Sequence, residues 1–125
     1  MNHPMHIALE QAKLAFDEGE VPVGAVITVS KTGKVIAKAH NQVRQLNDPT
    51  AHAEILAIRS ASYSIGNSRL TGLNLFVTLE PCAMCAYAIS LARLEKLVFG
   101  ACDLKNGGVE LSLIHISEPT RRRGI

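Results

Sequence analysis

Tryptophan is absent from this chain, and aromatic residues make up only 4% of its 125 positions. With 47% hydrophobic residues, a single domain of this length can still bury a core, but that core must be aliphatic and packed with alanine. No run of about 18 apolar residues occurs, which excludes a membrane-spanning helix. The N-terminus has no basic stretch followed by an apolar one, so no secretory signal is expected. Cysteine is sparse, at three residues, and two of the three stand at metal-ligand spacing. Thiolate ligands rather than disulfides point to a reducing compartment, the cytoplasm. An excess of one charge is also missing from the body of the chain. Residues 1–110 hold ten Lys/Arg and ten Asp/Glu, and the net +2 comes from Arg121, Arg122 and Arg123, with Glu118 offsetting one. Charge therefore gives no general nucleic-acid footprint.

The chemistry is concentrated in two short stretches, His52-Ala53-Glu54 and Pro81-Cys82-Ala83-Met84-Cys85. One histidine and two cysteines supply three ligands for a tetrahedral zinc ion, one per subunit, and three protein ligands leave the fourth position to water, as in catalytic rather than structural sites. Glu54, two residues after the histidine, is the candidate proton carrier for that water. A bare C-x-x-C is weak evidence, whereas the composite H-x-E followed by P-C-x-x-C resembles the signature of zinc-dependent nucleobase deaminases. Cys82 and Cys85, three apart near a helix start, share one face, where the positive helix end favours thiolates. His52 and Glu54 are separated by about 200° on a regular helix, so they share a site only if they flank its start.

The pattern along the chain predicts helix, two strands, helix, strand, helix, strand. Pro4 opens a helix whose stripe is Met5, Ala8, Leu9, Ala12, Ala15 and Phe16, ending at Gly19. Residues 23–29 and 35–40 read as a hairpin. A second helix, from about Thr50 to Tyr63, is expected to turn Ile55, Leu56 and Ile58 inward, and 64–72 is a loop. Residues 73–79 form a nearly continuous apolar run, read as a strand buried on both faces. A third helix runs from Pro81 to about Leu94, and 97–101 is a short buried strand reached by a parallel crossover. The result is an α/β fold, a mixed sheet between helix layers. Cys102, Met5 and Met84 are read as packing residues, and His3, His6 and His40 as surface or strand residues.

Further stretches carry a more specific resemblance: Glu20-Val-Pro-Val-Gly-Ala-Val26, Asn41, Asp48-Pro-Thr-Ala-His-Ala-Glu-Ile55, Val77 to Cys85, and Val98-Phe-Gly-Ala-Cys-Asp103. In these the chain resembles the bacterial tRNA-specific adenosine deaminases, over residues 1–110 almost continuously. The resemblance implies a three-layer α/β/α cytidine-deaminase-like fold with an N-terminal antiparallel hairpin and strand order 2-1-3-4. It implies conversion of adenosine to inosine at the wobble position of a tRNA anticodon by a homodimer. His52, Cys82 and Cys85 are then the zinc ligands and Glu54 the proton shuttle. Asn41 and Val23 contact the flipped base, and Asp103 lies in the loop touching neighbouring nucleotides. An anticodon stem-loop suits such an enzyme, because a loop base costs little to extrude.

Residues 111–121 resemble instead the translation of a sequencing-library adaptor. On that basis 1–110 is the deaminase domain, incomplete at its C-terminus, and 111–125 a non-native tail, with the fifth strand and C-terminal helix of the family missing. A bare fourth strand then leaves an aggregation-prone edge. Two other readings compete. A free-base deaminase, guanine deaminase above all, shares similar His-Ala-Glu and Pro-Cys segments, although Phe99-Gly-Ala-Cys-Asp-Leu-Lys-Asn-Gly-Gly108 favours the tRNA enzyme; cytidine deaminase is a weaker alternative. A purely structural zinc in an RNA-binding or interaction module needs a fourth protein ligand, for which Cys102 and His40 are the nearby candidates.

Overall fold

The computed structural model describes residues 3–102 and the strand 111–117. Helix α1 (Pro4–Asp17) is followed by strands β1 (Gly24–Val29) and β2 (Val35–His40), a short helix α2 (Val43–Leu46), and helix α3 (Ala53–Ile65). Strand β3 (Leu73–Val77), helix α4 (Ala83–Ala92), strand β4 (Lys96–Cys102) and strand β5 (Leu111–Ser117) complete the order. The strands form one mixed sheet, β2-β1-β3-β4-β5. β1 pairs antiparallel with both β2 and β3, and β3 pairs parallel with β4 across α4, as the strand–helix–strand pattern requires.

The expected order 2-1-3-4 is present, but the expected absence of a fifth strand is not. Leu111–Ser117 lies antiparallel along β4, in a register that sets Val98 opposite Ile116. The physical reason is the one that made the edge a hazard: β4 presents unpaired N–H and C=O groups, and a β-prone segment rich in Leu and Ile completes them.

The sheet separates two apolar clusters. On one face Ala25, Ile27, Leu73, Leu75 and Val77 meet α3 and α4 through Ala53, Ala57, Ala61, Ile89 and Ala92. On the other, Val26 and Val98 meet Met5 and Ala8 of α1, with Phe76 packed alongside. The alternation along β1 and β3 is the period-two signature of a strand between layers.

Alanine governs how closely these layers approach, and this alters several expectations. The inward stripe of α3 is Ala53, Ala57 and Ala61, with Ile58 half-buried against the same cluster as expected, while Ile55 and Leu56 are only half-buried on its flanks. Small side chains draw the helix axis onto the sheet, so its larger residues spread to the sides. On α1, Phe16 is 48% exposed. The closest contact of that helix with the sheet is at Ala8 and Ala12, opposite Gly24, and Phe16 lies a full turn beyond it. On α4 the buried positions are Cys85, Ile89 and Ala92, and Met84 is exposed rather than part of the core. Strand β3 stops at Val77, two residues short of the apolar run, and Leu79 emerges at the surface. Asn74 and Phe76 are half-buried, so β3 is less enclosed on the α1 face than on the other.

Gly24 is the tightest of these contacts. A Cβ there would fall 2.0 Å from the Ala8 carbonyl oxygen and 2.5 Å from the Ala12 nitrogen, both backbone atoms of α1. Gly24→Ala must therefore displace the helix, and about 3 kcal/mol of stability is expected to be lost, measurable as a lower urea midpoint at unchanged slope.

Candidate metal centre and active site

Helix α3 begins immediately after His52, which occupies its N-cap position in an extended conformation and makes no side-chain cap hydrogen bond. Helix α4 begins in the same way after Cys82, also extended and also without a side-chain cap bond. Both donors therefore project from helix starts rather than lying along helix faces. Cys85, at the third position of α4, is fully buried beneath them. His52 Nδ1 lies 3.7 Å from Cys82 Sγ and 3.4 Å from Cys85 Sγ. The three donor atoms are all within 4.8 Å of one another. Zinc bond lengths of about 2.05 Å to nitrogen and 2.3 Å to sulfur at a tetrahedral angle place such donors about 3.6 Å apart. One nitrogen and two sulfurs at these separations fit zinc.

The turn before His52 is locked by its own residues. The Asp48 carboxylate accepts from the Thr50 N–H at 2.9 Å and the Thr50 hydroxyl at 2.8 Å. These bonds, the hydroxyl's first, hold the Asp48 carboxyl below the ordinary carboxylate range, with a smaller contribution from Arg59. The His52 N–H then closes onto the Thr50 carbonyl at 2.7 Å. The N–H of Ala53, the first residue of α3, is satisfied from a distance: it donates to Asn41 Oδ1 at 2.9 Å. Asn41 thus performs the capping that His52 does not, which leaves the imidazole free for a metal.

Glu54 is the second residue of α3 and is 4% exposed. At the helix start it does flank the same opening as His52, and both line one cleft of about 510 Å³ with Cys82, Asn41 and Val23. That volume lies within the range of small-ligand sites. Burial raises the Glu54 carboxyl above its ordinary value, opposed in part by its own backbone N–H and by His52. Burial, and then the Glu54 charge, also pushes the Cys85 thiol well up. The helix start therefore does not offset that burial at Cys85, and a bound cation would supply the charge that favours its thiolate.

Asn41 is buried and its oxygen is occupied by Ala53, so toward a ligand it offers its Nδ2 amide. Val23 is buried at the cleft wall, and its carbonyl accepts the Asn41 N–H at 3.1 Å. Asp103 lies outside the described residues, as does the side chain of Cys102. His40 is not near the metal group: its two ring nitrogens meet Gln11 Oε1 at 3.2 Å and Glu18 Oε1 at 3.0 Å. Sequence reasoning overlooked α2, whose Val43 and Arg44 form part of the cleft, and gave no role to Glu20 at the same wall. The only signal for Glu20 was its place in the Glu-Val-Pro-Val-Gly stretch.

A zinc ion held here is expected at one equivalent per chain. His52→Ala and Cys85→Ala should each reduce the zinc measured by atomic absorption toward zero, whereas Cys102→Ala should leave it unchanged. Free zinc at about 100 times its dissociation constant should stabilise the parent chain by about 2.7 kcal/mol in thermal melts, an effect absent from both ligand variants.

The family model for the cytidine and deoxycytidylate deaminase zinc-binding region matches residues 2–101. The tRNA-specific adenosine deaminase of Aquifex aeolicus is 53% identical over 116 residues, covering 93% of this chain and 76% of that protein. The corresponding protein of Agrobacterium fabrum is 51% identical, covering 94% and 76%. Among solved structures, one from a study of A-to-I editing by tRNA:A34 deaminases superposes with a TM-score of 0.76 at 52% identity, over 82% of this chain and 73% of that one. The guanine deaminase of Bacillus subtilis gives a TM-score of 0.76 at 38% identity, over 90% and 73%. With residues 2–101 matched by the zinc-binding region, and about half of the aligned residues identical to those of the two tRNA-specific adenosine deaminases, the chain belongs to the cytidine and deoxycytidylate deaminase family, in its tRNA-specific adenosine deaminase branch.

Proposed function

We propose that the chain catalyses hydrolytic deamination of adenosine to inosine at the wobble position of a tRNA anticodon. The observation that carries this reading is the buried Glu54 lining one cleft with His52 and Cys82, above Cys85, in a chain 53% identical to a tRNA-specific adenosine deaminase. His52, Cys82 and Cys85 would hold the zinc ion, which when bound lowers the pKa of a water from about 15.7 toward 7. Glu54 accepts the proton of that water at its carboxylate as the oxygen bonds to C6 of the ring. It delivers that proton to the adjacent ring nitrogen, and then carries the remaining proton of the added hydroxyl to the amino group, so that the C6 carbonyl forms as the C–N bond breaks and ammonia leaves. A carboxyl whose ordinary value is raised by burial suits both halves of that cycle. Asn41, through Nδ2, and Val23, through its apolar side chain, hold the base. Asp103 is assigned to the neighbouring nucleotides by resemblance alone.

Two finer points belong to this reading. The enzyme acts in the cytoplasm, where its thiolates stay reduced. It works as a homodimer, for which α4 supplies an apolar surface: Met84, Tyr87 and Leu91 are exposed on one helix face, beginning beside the metal ligands. Sedimentation at micromolar concentration should give a dimer, and Leu91→Asp a monomer; a monomeric parent chain would remove the dimer from the reading.

Deamination of a free base is a second reading, because the guanine deaminase superposes with the same TM-score of 0.76. Zinc-loaded protein should release ammonia from an anticodon stem-loop carrying a wobble adenosine and leave free guanine and free adenosine untouched. Ammonia from guanine alone would reverse the assignment. Glu54→Ala should retain one equivalent of zinc and lose about a thousandfold or more in kcat.

A further inference from the structure

Glu20 is a buried carboxylate, 7% exposed, that the chemistry above leaves without a role. Each of its oxygens accepts one backbone N–H: Oε1 from Arg44 at 3.1 Å and Oε2 from Gln45 at 2.9 Å. These are the second and third residues of α2, a helix of four. In so short a helix the leading N–H groups have no partners within it, and one turn does not stand unsupported. The N-cap Gln42 does not help, since its side chain makes no cap bond and instead donates to Gln45 Oε1 at 2.9 Å. Glu20 supplies both caps from another part of the chain. Arg44 Nη1 returns a hydrogen bond to the Gly19 carbonyl at 3.3 Å, next to Glu20.

The segments joined in this way are two sides of the cleft. Residues 19–23 provide Glu20, Val21 and Val23, and the loop running from Asn41 to His52 provides Val43 and Arg44. The loop's two ends are fixed independently, by Asn41 on Ala53 and by the Asp48–Thr50 turn before His52. Within the loop the Gln42 N–H donates to the Ala51 carbonyl and the Asp48 N–H to the Val43 carbonyl; what joins α2 to the opposite side of the cleft is the Glu20 carboxylate, with Arg44 on Gly19 beside it. We propose that Glu20 is a positioning residue for substrate: its carboxylate fixes the α2 wall against which the base and its neighbours lie, without entering the metal centre or the proton path. The claim rests on the reading of the cleft as a nucleoside site.

Two kinds of measurement separate this from a merely structural role, both made on the full zinc-loaded chain. In Glu20→Ala, the Arg44 and Gln45 amides should exchange with solvent at least about tenfold faster, while those of α3 keep their protection. With an anticodon stem-loop as substrate, KM should rise about tenfold, kcat should stay within about threefold, and zinc should remain at one equivalent. Glu20→Gln, which keeps one acceptor oxygen and the side-chain shape, should fall between parent and alanine variant, and it carries the same measurements if the alanine variant does not fold. Unchanged exchange at Arg44 and Gln45 would overturn the proposal. So would a loss of zinc, a fall in kcat at constant KM, or a lower melting temperature with both constants unaltered. If the parent chain forms no inosine, the functional reading has failed, and amide exchange alone then decides whether Glu20 holds α2.

Discussion

Helices α3 and α4 begin at the same place, and at each beginning a metal donor stands where a capping side chain would ordinarily be. A cap from Ser, Thr, Asp or Asn is worth about 1 kcal/mol to a helix, and neither helix has one from its own N-cap residue. A divalent cation beside two positive helix ends is a further conflict on its face. Two thiolates would resolve it, because their charges would cancel that of the ion and leave ion and ligands together neutral. Cys85 shows how closely the parts depend on one another. Burial, and then the charge of Glu54, raise the proton affinity of its sulfur, so a metal held there would displace the thiol proton.

The sheet determines where this meeting point lies. β3 runs parallel to β4 and its C-terminal end leads through residues 78–82 into α4, so Cys82 and Cys85 sit where open α/β sheets characteristically place ligands. β1 runs antiparallel to β3, so its beginning lies at that same end. The Gly24 N–H donates to Thr78 Oγ1 at 3.1 Å, tying the start of β1 to the residue that follows β3. The absence of a Cβ at Gly24 lets α1 press onto this corner from the opposite face. Packing on the α1 side and geometry on the metal side are therefore coupled through one pair of strand ends.

What could be read from the sequence follows the range of the interactions involved. The i, i+3 spacing of Cys82 and Cys85 and the His-x-Glu spacing are local, and the structure places His52, Glu54 and Cys82 around one opening with Cys85 buried beside His52. The hairpin and the parallel crossover were also legible, since each follows from short connections and apolar runs, whereas the strand order came from the family resemblance. Ile55, Leu56 and Met84 were misjudged because apolar character was taken as depth, whereas alanine decides depth in a chain with no tryptophan. Helix α2 was invisible for a different reason. Its four residues have no apolar period, and what stabilises them is Glu20, more than twenty positions away in the chain. β5 was missed because the resemblance of its residues to a foreign sequence says nothing about whether an open strand edge will pair with them.

The charges of the cleft bear on how a base is taken from a polyanion. Glu20, Glu54 and Glu80 line it, with Arg44 as the cation among its lining residues. A phosphate entering this space would meet the buried carboxylates of Glu20 and Glu54, desolvated enough for their charge to act over several ångströms, while Glu80 is exposed. A neutral purine meets no such penalty, and apolar contacts from Val21, Val23 and Leu79 favour its ring. The three carboxylates are not equivalent, however. Both oxygens of Glu20 are engaged by backbone N–H groups, so it contributes geometry more than free acceptor capacity. Glu54 keeps a carboxyl whose proton affinity is raised by burial, which is the property a proton carrier needs. A cleft of this kind favours an uncharged ring over a phosphate, and its one lysine or arginine, Arg44, stands exposed at the rim on the helix that Glu20 secures.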